Sequence, residues 1–353
     1  MLRTYGDTDF ITGMRAIAAT MVVIIHTGAF ADLGMLGQTI NSAGKYGVDI
    51  FFVISGFTIA KTFGEASSYG SYLTRRIIRI APIYWFVTSV AFMMYLSGVL
   101  PASDWMQELG SQPDMYNYVM HLSMLSFLDY TIANSILGVE WSIPIEVFWY
   151  ICLPLVIHFG RSIRAVFIPI VVLAILTAIL TYASKKLVGT SLPVKWSPIA
   201  YGHLFFIGVL SFHLRAKYLV STSPKVGLWI VGAVALFVAS LVLKIDGRGE
   251  ICALAAAILI VCVAPGRSAW LTKVLTNRIM LFLGSISYSI YLLHTLVVHT
   301  LREVWGGFDS SIVHFLVVYG VTILLATATY FLIERPTNSF GKRLAYIMKE
   351  RRA

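Results

Sequence analysis

Charged residues are scarce in this chain of 353 residues: only 12% are Asp, Glu, Lys or Arg, whereas 58% are hydrophobic. A soluble domain carries about 25% charged residues, so the composition excludes a soluble globular protein. The mean hydropathy of +0.79 indicates a polytopic membrane protein instead. Cysteine is scarce as well. Cys152, Cys252 and Cys262 lie in apolar runs without the spacing of a disulfide framework or a metal site, so neither is predicted.

Lysine and arginine are absent from the long segment 101–140, which holds acidic residues instead. The formal net charge of +10 comes from basic residues between apolar runs. No basic stretch is interleaved with exposed aromatic residues, which excludes a nucleic-acid-binding protein.

The basic residues are distributed unevenly between alternate loops. One set of loops and termini holds most of them, namely Arg3, Lys61, Arg75, Arg76, Arg79, Arg161, Arg164, Arg215, Lys217, Lys225, Arg267, Lys273, Arg278 and the tail from Arg335 to Arg352. Because cytoplasmic loops carry the excess of Lys and Arg, both termini are predicted to be cytoplasmic and the segment 101–140 to lie outside. Lys185, Lys186 and Lys195 depart from this pattern locally.

Apolar runs long enough to cross a bilayer recur along the whole chain. They predict an all-α, polytopic integral membrane protein of about ten transmembrane helices in a single domain, residues 1–353, with a basic cytoplasmic tail at 338–353. The predicted spans are 11–31, 47–64, 80–100, 144–160, 164–183, 198–214, 226–244, 250–265, 279–301 and 312–333.

The run RAIAATMVVIIH (15–26) has one ionisable residue at each end. Eleven steps of about 100° return to nearly the same helix face, roughly 16 Å further along the axis. Arg15 and His26 therefore share a stripe, with Arg15 predicted near an interface and His26 well inside the membrane. The simplest interpretation is an interfacial anchor and a stray polar residue, but intramembrane ionisable residues are costly, which favours a functional His26.

Two further segments bring polar side chains into predicted spans. GVDIFFVISGF (47–57) opens with Asp49, which fits a first-turn acid, and contains Ser55 beside a glycine, which fits close helix packing. YLTRRIIRIAPIYW (72–85) places Arg76 and Arg79 on one helix face. The two arginines fit either cytoplasmic topology or a cradle for an anion, because guanidinium binds phosphate bidentately.

Two later segments carry the remaining candidate residues. WSIPIEVFWY (141–150) places Glu146 near the start of a span; the helix dipole alone would favour it, or it could orient a histidine or accept a hydroxyl proton. GSISYSIYLLH (284–294) places Tyr288, Tyr291 and His294 on neighbouring helical turns. Alone this is a weak signal, since tyrosine is common at membrane interfaces.

Together with IERP (333–336), these segments resemble, in order, the signatures of the membrane acyltransferase-3 family over about residues 8–337. This family includes O-acetyltransferases of O-antigen, exopolysaccharide and nodulation factors. The resemblance implies a stand-alone transmembrane O-acetyltransferase of the bacterial inner membrane. Its acyl donor would be cytoplasmic acetyl-CoA, with no permanently bound cofactor, and its acceptor a hydroxyl of a lipid-linked or surface glycan, such as O-antigen, exopolysaccharide, lipopolysaccharide or a lipo-oligosaccharide.

The resemblance also implies roles for residues. Arg15 and His26 match the family's essential first-helix pair, and Arg76 and Arg79 match paired arginines that meet the CoA phosphates. Further motif positions are matched by Asp49, Ser55, Glu146, Tyr288, Tyr291 and His294. His26, with Glu146 and His294, is the predicted catalytic group, acting as a general base or as a transient acyl acceptor.

Two alternatives remain open at the level of sequence. The acyl group could be succinyl or longer, because no residue pattern measures the donor pocket. A transporter of glycans or acyl carriers would also combine many helices with buried charges, although the two inverted halves expected of a transporter are not visible. The acceptor sugar and the oligomeric state are not predicted.

Overall fold

The computed structural model describes residues 8–159, 162–218, 226–263, 268–306 and 308–350. Every regular element in these ranges is helical, and no strand occurs within them. Of the residues behind the predicted orientation, six lie outside the described ranges: Arg3, Arg161, Lys225, Arg267, Arg351 and Arg352.

The first half of the described chain contains α1 (Asp9–Thr27), α2 (Gly34–Ala43), α3 (Gly47–Gly64), α4 (Tyr69–Leu96), α5 (Asp104–Glu108), α6 (Met115–Leu122), α7 (Ser142–Phe159) and α8 (Ile163–Val188). The second half contains α9 (Leu192–Lys195), α10 (Pro198–Tyr218), α11 (Val226–Val242), α12 (Arg248–Cys262), α13 (Ala269–Leu275), α14 (Arg278–Ser285), α15 (Ser287–Trp305), α16 (Ser311–Thr329) and α17 (Arg335–Glu350). A π-helix, Tyr330–Glu334, joins α16 to α17.

The predicted polytopic helical membrane protein is confirmed, whereas the predicted number of about ten spans is not. A helix lies at each of the predicted segments. Six helices of the described chain are long and apolar enough to cross a membrane, or seven if the bent pair α14 and α15 forms one span. Helices α11 and α12, with 17 and 15 residues, fall short of the roughly 20 that a bilayer needs.

Close packing between α3 and α10 depends on two glycines. A Cβ atom at Gly56 would lie 1.9 Å from the carbonyl oxygen of Phe205, and one at Gly208 would lie 2.1 Å from that of Val53. Any larger side chain would push the two backbones apart. The small residue beside Ser55 therefore serves the close helix packing that its sequence context indicates, and it fixes α3, which carries Asp49 and Ser55.

Two backbone breaks set the positions of the histidines. Gly28 adopts a left-handed conformation with φ of +62°, which ends α1 at Thr27. His26 therefore lies in the last turn of α1, closer to the helix end than predicted. The second break separates α14 from α15 with a bend of 68°, so that α15 starts inside the bundle and buries its turns from Ser287 to His294.

The last helix, α17, is amphipathic and packs on α4. Gly341 allows this approach, since a Cβ atom there would lie 3.1 Å from Ile78. The π-helix that precedes α17 turns Glu334 inward, where it is 4% exposed. Irregular turns of this kind occur often at functional sites.

Candidate active site

The two candidate histidines are brought together from opposite ends of the chain. Nε2 of His294 lies 3.2 Å from Nδ1 of His26. Nδ1 of His294 lies 2.7 Å from the carbonyl oxygen of Tyr291, and Nδ1 of His26 lies 2.8 Å from that of Val22. The sequence predicted both residues but not their contact.

These distances determine the tautomers, because a carbonyl oxygen can only accept a hydrogen bond. In the neutral rings, Nδ1 of His294 carries its proton and donates to Tyr291, so that Nε2 of His294 is an acceptor. Nδ1 of His26 likewise carries a proton, shared between Val22 and His294. Nε2 of His26 is thus left with its lone pair, the form required of a base or nucleophile.

His26 faces a cavity of about 450 Å³, which we name the histidine cavity. The His26 ring is accessible from this cavity, whereas His294 lies behind it and is fully buried. The cavity is lined by Val22, Ile25, His26, Lys45, Tyr46, Val48, Asp49, Asn134, Gly138, Val139, Trp141, Lys195, Trp196, Ala200, Tyr201, His203, Leu204, Gly249, Glu250 and Tyr291.

A second cavity, of about 530 Å³, contains the candidate arginines, and we name it the arginine cavity. It is lined by Thr12, Arg15, Thr62, Tyr72, Arg75, Arg76, Arg79, Gly284, Ser285, Tyr330, Glu334, Arg335, Asn338, Ser339 and Lys342. Six of these side chains are basic and one is acidic. The cavity is therefore suited to a ligand with several negative charges.

The arginines of this cavity differ in their contacts. Arg76 is 6% exposed, and its Nη2 donates to the carbonyl oxygen of Thr58 and to Oγ1 of Thr62, both at 2.6 Å. Its guanidinium also lies 5.2 Å from the ring centre of Tyr150. Arg79, by contrast, makes no hydrogen bond to any described residue and is free to bind a ligand.

A small cavity of about 30 Å³, the central cavity, lies between the other two. Its lining is Arg15, Val48, Phe51, Phe52, Ser55, Ser142, Ile143, Glu146, Tyr288 and Tyr291. Arg15 also lines the arginine cavity, and Val48 and Tyr291 also line the histidine cavity. The three cavities thus adjoin one another in a single row.

Glu146 lies in the central cavity and not beside a histidine. Its Oε1 accepts hydrogen bonds from Ser55 and, at 2.6 Å, from the hydroxyl of Tyr150. Its charge also attracts Arg15. The partner that orients His26 in this structure is His294, and Glu146 links α3 to α7 next to the row of cavities.

The remaining predicted residues also fall on this row. Asp49 lines the histidine cavity, Tyr288 the central cavity and Tyr291 both. The hydroxyl of Tyr288 donates to the carbonyl oxygen of Ile80 at 3.2 Å, and that of Tyr291 donates to the carbonyl oxygen of Val139 at 2.6 Å. Both tyrosines therefore hold neighbouring segments in place as well as lining the cavities.

Two carboxylates were missed as site residues by the sequence analysis. Glu334, within the quoted IERP, accepts a hydrogen bond from Ser289 and attracts Arg15 and Arg79 across the arginine cavity. The quoted motif contains Glu334, but the residue pattern did not predict the π-helix that turns its side chain inward.

The other missed carboxylate is Glu140, which is fully buried in the segment before α7. Its Oε1 lies 3.2 Å from Nε2 of His121 and accepts a hydrogen bond at 2.7 Å from the Ile136 backbone amide. Burial raises the pKa of Glu140, but the contact with His121 and the amide donors outweigh it and hold that pKa below its ordinary value. Glu140 thereby fixes its neighbours Val139 and Trp141, which line the histidine cavity.

The sequence of the chain is similar to known acyltransferases. A family model described as an acyltransferase domain matches residues 8–331. Nodulation protein 10 of Rhizobium leguminosarum bv. viciae is 24% identical over 376 residues, which cover 94% of this chain and 95% of that protein. No solved structure matches the chain.

Other relatives are longer than this chain. A Staphylococcus aureus (strain COL) protein named as a candidate O-acetyltransferase is 23% identical over 97% of this chain and 60% of its own length. YrhL of Bacillus subtilis (strain 168), named as a candidate peptidoglycan O-acetyltransferase, is 26% identical over 94% of this chain and 55% of its own length. The family match covers nearly the whole chain, and the chain therefore belongs to the acyltransferase-3 family of membrane O-acyltransferases.

Proposed function

We propose that this protein transfers an acetyl group from acetyl-CoA, bound in the arginine cavity, to a glycan hydroxyl in the histidine cavity. The observation that carries the proposal is the row of three cavities, which leads from a cluster of cations to the lone pair of His26 Nε2. A relative named as a candidate peptidoglycan O-acetyltransferase supports a glycan as the acceptor.

The arginine cavity has the charges that a CoA donor requires. The phosphates of CoA are multiply anionic, and guanidinium groups bind phosphate with charge-assisted hydrogen bonds. Arg79 and Arg15 supply guanidinium groups without hydrogen bonds to the described residues, and Lys342 adds a cation from α17. The central cavity holds about one water molecule as it stands, so side chains along it must move for the thioester to approach His26.

In the proposed reaction, Nε2 of His26 removes the proton from the sugar hydroxyl. The resulting oxygen attacks the thioester carbonyl, the carbon–sulfur bond breaks, and the CoA thiolate takes the proton from His26. His294 Nε2 and the Val22 carbonyl oxygen accept hydrogen bonds from the Nδ1–H of His26, which keeps its proton, and so stabilise the imidazolium that forms. This direct route requires donor and acceptor to be bound together, whereas an acyl-imidazole route would release CoA before the acceptor binds.

We propose an inner-membrane protein with about ten spans, and the charge asymmetry supports an orientation with both termini and the arginine cavity on the cytoplasmic side. Lys61, Arg75 and the basic residues of α17 all belong to the positive set of loops. The acid-rich segment 101–140 contributes to the histidine cavity, which would then open to the outside, where an exported or surface glycan arrives.

Radiolabelled acetyl-CoA provides the decisive experiment. The purified chain is reconstituted in nanodiscs, acetyl-CoA affinity is measured by calorimetry, and label is then followed into the glycan fraction of membranes from a deletion strain. We expect wild-type protein to transfer label, and His26→Gln to bind acetyl-CoA normally without transferring it. Transfer by His26→Gln, or absence of acetyl-CoA binding to the wild type, would refute the proposal. Mass spectrometry of the same strain's glycans identifies the acyl group and polymer.

Cysteine accessibility tests the orientation separately. Ser111, exposed in the segment 101–140, is changed to Cys in a background without native cysteines, with Arg343→Cys on α17 as the matched control. We expect an impermeant maleimide to label Ser111→Cys in intact spheroplasts and Arg343→Cys only after lysis. The reverse pattern would invert the orientation.

A further inference from the structure

One wall of the histidine cavity is a cluster of aromatic rings. The ring centre of Trp141 lies 5.0 Å from that of Trp196 and 5.1 Å from that of Tyr201. All three side chains line the cavity. The three rings in mutual contact give the cavity a continuous aromatic surface.

Two carboxylates face the same cavity. Asp49 and Glu250 both line it, and Gly249 packs closely against the first of them, since a Cβ atom at Gly249 would lie 2.9 Å from Oδ2 of Asp49. Neither carboxylate makes a hydrogen bond to any residue that the structure describes, although Glu250 lies 3.9 Å from Nε2 of His203. The free carboxylate oxygens can accept hydrogen bonds from ligand hydroxyls.

The charges of this lining cancel. Lys45 and Lys195 balance Asp49 and Glu250, and the Nζ atom of Lys195 lies 4.6 Å above the ring of Trp196. Lys195 was an exception to the distribution of basic residues among the loops, and its place in the cavity lining accounts for that exception. A balanced lining favours an uncharged ligand, in contrast to the cationic arginine cavity.

We propose that the wall formed by Trp141, Trp196 and Tyr201, with Asp49 and Glu250, is a subsite for one neutral pyranose ring of the acceptor. The C–H groups of a sugar face pack on the electron-rich faces of aromatic rings, and the carboxylates accept hydrogen bonds from its hydroxyls. A cavity of 450 Å³ lies within the range of about 300–1,000 Å³ typical of small-molecule sites. This inference rests on the proposed function, because it places the sugar beside His26.

The proposed subsite gives Asp49 a role in sugar binding, which its position in the first turn of α3 did not suggest. As a first-turn acid alone, Asp49 would stabilise α3 and nothing else. As part of the subsite, it binds the sugar and orients a second hydroxyl toward His26. Changing Asp49 to Asn keeps one acceptor oxygen but removes the charge. We therefore expect the affinity for the sugar to fall while the melting temperature stays nearly unchanged.

Saturation-transfer NMR with methyl β-glucoside, methyl β-galactoside and methyl α-mannoside tests the subsite, and methyl β-glucuronide is the charged comparison. We expect the wild type to bind at least one neutral glycoside more tightly than the glucuronide. Trp141→Ala should weaken this binding about ten-fold or more, and Trp141→Phe much less. Trp270→Ala, at an exposed tryptophan that lines none of the three cavities, is the matched control and should leave binding unchanged.

Gly249→Ala is a second variant for the case that Trp141→Ala fails to fold. Its methyl group crowds Asp49 without disrupting a helix, so we expect weaker sugar binding with an unchanged melting temperature. Equal glycoside binding in wild type, Trp141→Ala and Gly249→Ala, or tighter glucuronide binding, would refute the subsite. Failure of the proposed function looks different, because acetyl-CoA would then not bind while glycoside binding persisted.

Discussion

The arginine cavity and the histidine cavity are similar in volume but opposite in character. In the arginine cavity, six basic side chains face one carboxylate, and aromatic contact is limited to tyrosines at its edge. In the histidine cavity, two lysines balance two carboxylates, and two tryptophans form part of the wall. The first is built to attract charge over a distance, whereas the second must recognise shape and hydroxyl groups at contact.

This difference shows how one membrane domain can keep two polar substrates apart. An anionic donor gains little from the balanced lining around His26, and a neutral sugar gains little from the arginines. Only the central cavity, bounded by Arg15 at one end and Tyr291 at the other, allows their reactive atoms to meet. Changes at each end should therefore affect one substrate and spare the other, which the following predictions test.

The largest expected effect is at His26, which lines the histidine cavity. His26→Gln should lower acetyl transfer by about 10²–10⁴-fold, the range of a lost general base, with both substrates still bound. His294→Ala should lower the rate of acetyl transfer less than His26→Gln does, since it removes only the hydrogen-bond partner of the Nδ1 proton of His26. It should also shift the pH profile of the rate. Rates at several pH values check this; an unchanged profile in His294→Ala would mean that His294 only packs.

Part of this site was predictable from the sequence and part was not. The spacing of Arg15 and His26 on one helix face follows from helix geometry, and both lie on the row of cavities. The cost of an ionisable group in an apolar run favoured a functional His26. Asp49, Glu146 and His294 were assigned to the site by the resemblance to the acyltransferase-3 family, because the pattern of each single segment left them with ordinary structural explanations.

The contacts between segments could not be predicted in the same way. The pairing of His26 with His294 joins residues 268 positions apart, and it depends on where Gly28 ends α1 and where α15 bends. Glu140 and its buried partner His121 both lie in the segment 101–140, but they are 19 positions apart, and the residue pattern does not show that they meet. The interpretation of Glu146 as a group that orients a histidine failed to anticipate its hydrogen bond with Ser55 for the same reason.

The second prediction separates two arginines that the sequence treats alike. Arg79→Ala should weaken acetyl-CoA binding by about 10- to 100-fold, the loss of one or two charged hydrogen bonds, with glycoside binding unchanged. Arg76→Ala should mainly lower the melting temperature, because it removes the two hydrogen bonds by which Arg76 of α4 holds Thr58 and Thr62 of α3. Calorimetry measures the acetyl-CoA affinity of each variant, and thermal unfolding of the same samples measures its melting temperature. Equal acetyl-CoA affinity in wild type and Arg79→Ala would show that Arg79 is not part of the donor site.

The third prediction concerns Glu140, which supports only the histidine cavity. Glu140→Gln should cost about 1–3 kcal/mol of stability at neutral pH, because a buried charged hydrogen-bond acceptor is lost, and should weaken glycoside binding while acetyl-CoA affinity stays unchanged. The pH dependence has a definite sign. A pKa lowered by folding stabilises the protein above the unfolded-state pKa of about 4.3.

That stabilisation disappears as the pH falls through the lower pKa of the folded state. The difference in melting temperature between wild type and Glu140→Gln should therefore be largest at pH 6–7 and shrink below about pH 4. Thermal unfolding in nanodiscs across this range measures it. A difference that grows on acidification would show that the Glu140 pKa is raised by folding and that the pair with His121 does not hold the loop.

The smallest expected effect lies at the rim of the arginine cavity. Lys342 on α17 is exposed and lines the cavity, whereas its neighbour Arg343 is equally exposed but does not line it. Lys342→Ala should weaken acetyl-CoA binding about two- to five-fold at low salt, and the effect should vanish near 1 M salt, where the screening length is about 3 Å. Arg343→Ala should change nothing, and glycoside binding should show no salt dependence in either variant. If the two alanine variants bound acetyl-CoA equally well at low salt, the attraction of the donor would come from the buried arginines alone and α17 would serve only to pack against α4.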